Sequence, residues 1–150
     1  MNSYVCRVCD FDVWHPVAQL SVSVLGLYDD SRWPYRSILV LKNHHEHLDE
    51  LDLDLANRFF LDLSIAGRAI REESRSLRVN YAILGNEVAH VHAHLIPRGA
   101  GPEMVPNRPP WEDPRPVGSL GIERLTECIA GMQRRLNGLL VGTEAMDISL

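Results

Sequence analysis

A single α+β domain is the fold class this sequence predicts. Three observations carry the prediction. Short strand-like runs occur in two pairs with turn chemistry between their members, two amphipathic stretches have helical spacing, and 150 residues with 45% hydrophobic content suffice for one sizeable core. From Gln19 to Tyr28, the residues Leu20, Val22 and Val24 alternate with small polar neighbours, the period-2 pattern of a half-buried strand that stops at Asp29. The cluster Asp29-Asp30-Ser31-Arg32-Trp33-Pro34 is a turn, and the apolar run Ser37 to Leu41 after it suits a central strand, so the two form an antiparallel hairpin. Between Asp54 and Glu73, Leu55, Phe59, Leu63, Ala66 and Ile70 recur every three or four residues and predict a helix with one buried stripe. Asp52 or Asp54 is its N-cap, because a carboxylate there accepts from the unpaired amides of the first turn.

A second strand pair follows, Val79 to Leu84 and Val88 to Ile96, with the turn dipeptide Gly85-Asn86 between its members. The proline-rich stretch from Pro97 to Pro116 reads as a structured but irregular loop carrying Trp111, not as a linker between domains. Leu125, Ile129, Met132 and Leu136 then place a closing helix over Ile122 to Leu140. The expected organisation is one domain over residues 1–150, with its core at about 4–98, the loop at 97–118 and the last helix at about 121–140. There is no internal repeat or low-complexity tract.

Charge and cysteine content exclude several functions. A formal charge of -5, from 15 basic and 20 acidic side chains spread along the chain, provides no electrostatic footprint for nucleic acid or an anionic membrane. A phosphate ligand must therefore be held by a few well-placed donors. No apolar run approaches the roughly 20 residues needed to cross a bilayer, and MNSYVCRVCDFD lacks the basic-then-apolar order of a signal peptide, so the cytoplasm is the expected compartment. Three cysteines, an odd number, argue against a disulfide framework and towards a metal or free thiols. Cys128 reads as a small buried hydrophobe.

The chemistry concentrates in His90-Val91-His92-Ala93-His94. On a strand the three histidines share one face and Val91, Ala93 and Leu95 the other. The outer pair is about 13 Å apart along the backbone, too far for all three to converge on one tetrahedral ion, so the three divide their labour. A neutral imidazole keeps a lone pair at physiological pH and can attack phosphorus; the phosphoramidate so formed hydrolyses in a second step. The turn Gly85-Asn86-Glu87 offers backbone N–H groups and an amide to the charge that develops on the phosphate.

The run Asn86-Glu87-Val88-Ala89-His90-Val91-His92-Ala93-His94-Leu95-Ile96-Pro97-Arg98 resembles the signature of the histidine-triad (HIT) superfamily, in which histidine and an apolar residue alternate three times. Ile38 to His44 is similar to that family's central strand with its trailing basic residue and histidine, and Arg78 to Arg98 resembles a bacterial subgroup with a short loop before the triad. The resemblance covers roughly Cys6 to Arg98. It implies a five-stranded antiparallel sheet, a homodimer whose sheet extends across the pair, and hydrolysis or transfer at the α-phosphate of a nucleotide substrate such as a dinucleoside polyphosphate or a nucleoside phosphoramidate. It makes His92 the nucleophile and His94 an orienting residue near the phosphates, with no metal needed for the chemical step. It implies a phosphate-side asparagine, Asn86 with Asn80 as competitor, and a ribose-binding acid, Asp30 with Asp29 as rival. Two positions depart from the pattern. Arg36 stands where many relatives have a histidine, and Glu87 stands where many have a small hydroxyl. A carboxylate at Glu87 repels polyphosphate, so it turns outward or selects a less charged substrate.

Cys6 and Cys9 form a CxxC pair, which needs two further ligands to hold a metal. In relatives with such a pair, histidines at the places of His44 and His90 complete a structural zinc site, so the resemblance implies Zn2+ on Cys6, Cys9, His44 and His90. The plain reading is free thiols and solvated histidines, as for His45 and His47. Asp49, Glu50, Asp52 and Asp54 read as a solvated approach to the helix. Two other functions stay open: a metal-dependent hydrolase using the HxH pair at an open site, and a nucleotide-binding module that turns over poorly, kept in play by Arg36 and Glu87.

Overall fold

The structure is a computed structural model that describes residues 4–101, 103 and 105–144, so the outermost residues of the expected 1–150 domain and two positions of the proline-rich loop lie outside the described residues. In chain order the elements are Tyr4–Val5 (β1), Asp12–Val13 (β2), Pro16–Gln19 (β3), Ser23–Leu27 (β4), Ser37–Leu41 (β5), Leu53–Ser74 (α1), Arg78–Ala82 (β6), His92–Arg98 (β7) and Ile122–Glu144 (α2). Short 3-10 turns lie at Leu48–Glu50 and Pro110–Glu112. Strands β3-β4-β5-β7-β6 form an antiparallel five-stranded sheet in that order, and β1 and β2 form a separate small hairpin.

The two faces of the sheet differ, and the difference positions the site. Leu25, Leu27, Leu39, Leu41, Ala93 and Leu95 share a core with Phe59, Ala66 and Ile70 of α1 and with Cys128, Met132 and Leu136 of α2. Each large side chain buried there stabilises the fold by about 1.5–3 kcal/mol. On the opposite face, Val24, Ile38 and Val40 pack with Val13, Tyr4, Phe11 and Tyr28. The small hairpin sits close because residue 26 is glycine: a Cβ there would collide with the Val13 side chain. Tyr4 Oη adds donation to the Leu41 and Lys42 carbonyls at 3.2 and 2.7 Å.

Asp52 is the N-cap of α1, its carboxylate accepting from Leu55 N at 2.8 Å. At the other end Arg75 adopts a left-handed conformation, φ 55°, as helices commonly do when they stop. No helix among the described residues is long and apolar enough to cross a membrane.

β6 ends at Ala82, two residues before the expected Leu84, and two other strand boundaries differ from the sequence reading. The run Gln19 to Tyr28 is broken into β3 and β4 by a turn at Leu20–Val22. Asp62, buried in α1, accepts there from Ser21 N, Val22 N and Ser23 Oγ at 3.2, 2.9 and 2.7 Å. Those donors hold the turn, and losing such a buried acceptor costs about 1–3 kcal/mol. The second, β7, begins at His92, four residues later than the expected start at Val88, because the chain before it bonds elsewhere. Val91 N donates to the His45 carbonyl at 2.8 Å, and His90 N donates to the Val88 carbonyl at 2.9 Å. His90 therefore stands just outside the ladder.

The loop after β7 is ordered around Arg98. Its guanidinium, buried, donates to Glu103 at 2.7 Å, to Asn80 Oδ1 at 2.7 Å and to the carbonyls of Val105, Pro106 and Arg108 at 3.0, 3.3 and 3.0 Å.

Candidate functional site

Strand alternation puts His92 and His94 on the face opposite the helices, where Val40 and Ile38 are their register partners on β5. Both line a cleft of about 470 Å³, within the range of small-molecule sites. His92 is buried and its Nδ1 lies 2.6 Å from the carbonyl of His90. A carbonyl can only accept, so Nδ1 carries the proton and Nε2 keeps the ring's free lone pair. Phe11, from the small hairpin, stacks on the His92 ring with centroids 5.8 Å apart.

His94 is set 5.0 Å from His92, edge to face. Burial, with lesser contributions from His92 and Arg36, pushes its pKa down to about 4, so it is uncharged at neutral pH. Its Nδ1 lies 3.3 Å from the Tyr28 hydroxyl, and the two rings stack. The Arg36 guanidinium lies over the Tyr28 ring, 4.4 Å from its centroid.

Asn86 and Glu87 both line the cleft. Asn80 does not; its Oδ1 accepts from Arg98 in the adjoining part of the sheet face. Asp30 stands behind the cleft wall. Both of its oxygens are engaged, Oδ1 by Arg32 Nε at 2.9 Å and Oδ2 by Arg32 and Arg36 at 2.8 and 2.7 Å. The two arginines line the cleft, so Asp30 sets their placement. Asp29 accepts from Ser119 Oγ at 2.7 Å and Leu120 N at 2.6 Å, tying the turn before β5 to the approach to α2.

Phe11, Trp14, Tyr28 and Arg32 also line the cleft and were not singled out from sequence. Tyr28 had a signal, since it continues the alternation of Val24 and Gly26 onto the histidine face. The others reach the cleft through long-range packing that has no local pattern.

A second cluster adjoins the first. One ligand atom from each of Cys6, Cys9, His44 and His90 lies within 4.8 Å of the other three. Cys6 Sγ is 3.7 Å from His44 Nδ1 and Cys9 Sγ is 3.3 Å from His90 Nδ1. Tetrahedral zinc, with bonds of about 2.3 Å to sulfur and 2.0–2.1 Å to nitrogen, spaces such ligands about 3.6 Å apart. The donor set therefore fits a metal ion. His90 is prepared for one: Nε2 is 2.8 Å from the Leu41 carbonyl and so bears the proton, leaving the Nδ1 lone pair towards Cys9. The same residue whose ring joins this cluster supplies the carbonyl that fixes the His92 tautomer.

A family model for the HIT domain matches residues 17–101, more than half of the chain. No curated protein sequence matches it. Among solved structures, it is similar to a histidine triad protein from Bradyrhizobium japonicum at 23% identity, over 81% of this chain and 89% of that chain, with a TM-score of 0.73. A Zn-bound histidine triad family protein from Mycobacterium smegmatis is 16% identical over 85% of this chain and 86% of that one, TM-score 0.59. The Plasmodium falciparum diadenosine triphosphate hydrolase is 17% identical over 92% and 86%, TM-score 0.58. At these identities the likeness to each structure is one of fold.

Proposed function

The chain belongs to the HIT domain family, and on that premise we propose that it hydrolyses or transfers nucleotides at the α-phosphate through a covalent nucleotidyl intermediate on His92. The observation that carries this reading is the 2.6 Å contact between His92 Nδ1 and the His90 carbonyl, which leaves Nε2 as the nucleophile. Nε2 forms the bond to the α-phosphorus while the bond from phosphorus to the leaving oxygen breaks, and the electron pair departs with that oxygen. Water, or an acceptor in the transferase case, then displaces the imidazole. Asn86 and the backbone amides of its turn stabilise the charge on the phosphate oxygens. His94, uncharged and set against Tyr28, orients the phosphate. Arg32 and Arg36, held by Asp30, supply positive charge at the wall, and ribose recognition falls to that side of the cleft. The diadenosine triphosphate hydrolase among its structural relatives supports a nucleotide substrate.

Zinc is the ion proposed for Cys6, Cys9, His44 and His90, supported by the fit of the donor set and by a Zn-bound relative. Four protein ligands leave no open position, so its contribution is structural and the chemical step needs no metal. A metal-dependent hydrolase built on the HxH pair is disfavoured. His92 Nδ1 is occupied by a carbonyl, and among the described residues no third ligand gathers with His92 and His94.

Mass spectrometry of intact protein quenched during turnover of a nucleotide panel tests the reading. An adduct of nucleoside-monophosphate mass on His92 is expected, together with a loss of turnover of about a thousandfold or more in His92→Ala and His92→Asn and retained nucleotide binding. An adduct on His94 instead, or near-normal rates in either variant, would overturn it.

A further inference from the structure

The cleft around His92 continues into a second cavity of about 450 Å³, the two sharing Ala82, Ile96, Pro110 and Trp111 in their walls. The groove follows β7, whose His92, His94, Ile96 and Arg98 share one face, and Arg78 is the register partner of Arg98 at the far end. Six residues of strand, about 20 Å, separate His92 from Arg98. Among the described residues no acidic side chain lines the far half; Arg78, Arg98 and Arg108 do. Arg98 is neutralised by the buried Glu103 and spends its donors on the loop carbonyls. Arg78 donates to the Pro106 carbonyl at 2.6 Å, a neutral partner, and so retains its charge. Arg108 pairs with Glu112 at 3.1 Å, but its side chain is 70% exposed, so the pair is weak and exchangeable. Glu87 lines the histidine half as a solvent-exposed residue, where water and salt screen its repulsion of a phosphate chain.

We propose that this arginine-lined half, walled by Arg78, Arg108 and the exposed Trp111, binds the leaving portion of the substrate and selects leaving groups that are both anionic and long. The inference rests on His92 as nucleophile. With the α-phosphate at His92, an amine or other small leaving group ends in the histidine half. A second nucleotide joined through a phosphate chain extends into the arginine half, where two guanidinium groups meet its phosphates and an indole offers a stacking face. When Nε2 bonds to the α-phosphorus, the bridging P–O bond breaks and its electron pair stays on the leaving phosphate, held as an anion by the same arginines. Residues 106–111, which provide much of this wall, lie beyond the segment matched by the family model.

The test compares binding of adenosine monophosphate with a methylene-bridged diadenosine triphosphate analogue, by calorimetry, to the intact chain and to Arg78→Gln/Arg108→Gln. The analogue should bind about tenfold or more tightly than the monophosphate, and the double variant should reduce that preference to below about threefold while monophosphate affinity stays within about twofold. Equal affinities in the unaltered protein, binding of neither probe up to millimolar concentration, or a preference that survives the double variant would overturn the proposal. Because Arg78 also holds the loop, Arg108→Gln alone, at an exposed position, should give a partial loss of the same preference. A His92 adduct without any arginine dependence removes the subsite and leaves the nucleophile standing. Arginine-dependent preference without an adduct does the reverse.

Discussion

His94 is uncharged in the folded protein, which gives the molecule a titration that can be measured. In the unfolded chain it titrates near 6.5, whereas burial lowers its folded value to about 4. Between those values the unfolded state binds the additional proton, so stability from this group is complete above about 6.5 and is lost as pH falls towards 4. Urea midpoints at pH 7 and pH 4.5 should differ more for the native sequence than for His94→Gln. An equal difference in both would show that His94 does not titrate as its environment requires. At this scale the sequence displayed the histidines well, because strand alternation alone puts His92 and His94 on one face. It did not display the Asp30–Arg32–Arg36 cluster in the same way. Asp30 reads as a free acid in sequence, and only the folded turn shows both of its oxygens engaged by arginines.

Among the elements, the small hairpin was invisible from sequence, since two-residue strands such as β1 and β2 carry no periodicity and are not stable alone. Its turn is closed by Cys6 N donating to the Phe11 carbonyl and Asp10 N to the Cys6 carbonyl, both at 2.9 Å, and Cys6 and Cys9 face His44 and His90 from it. A metal there joins the hairpin, the end of β5 and the start of β7, so its binding free energy adds to folding. Purified protein should carry about one zinc per chain, and Cys6→Ser and Cys9→Ser should each lower the melting temperature by on the order of 10 °C, at about 2–4 °C per kcal/mol for a domain of this size. Turnover should fall only as far as Phe11 and the His90 carbonyl are displaced from His92. Elemental analysis without zinc, combined with unchanged melting of both variants, would remove the site. The larger elements were readable because α1, β5 and α2 have strong periodicity or continuous apolar runs. The misplaced boundaries of β3–β4 and β7 have tertiary causes, the Asp62 carboxylate and the Val91–His45 bond, which leave no mark in local pattern.

For the whole molecule, the five-stranded sheet leaves two edges, and they are not equivalent. The β3 edge is short, begins with Pro16 and has an irregular register between Pro16 and Ala18, features that discourage pairing with another chain. The β6 edge, Arg78–Ala82, has a regular register along all five residues and no proline. Exposed apolar side chains lie on this side of the sheet: Tyr81 on β6 itself, Leu84 two residues after it, and Phe60 on α1, two turns before the Gly67 that packs against the Tyr81 ring. An open edge with apolar surroundings is the kind of surface that a two-fold pairing buries, with each β6 continuing the partner's sheet. We therefore predict a homodimer of about twice the 17.0 kDa chain mass in solution. Light scattering at micromolar concentration should report that mass, and hydrogen exchange should be slow at the outward amides of β6. A monomer mass, with rapid exchange along β6, would mean that this edge is tolerated without a partner and that the groove beside it is complete within one chain.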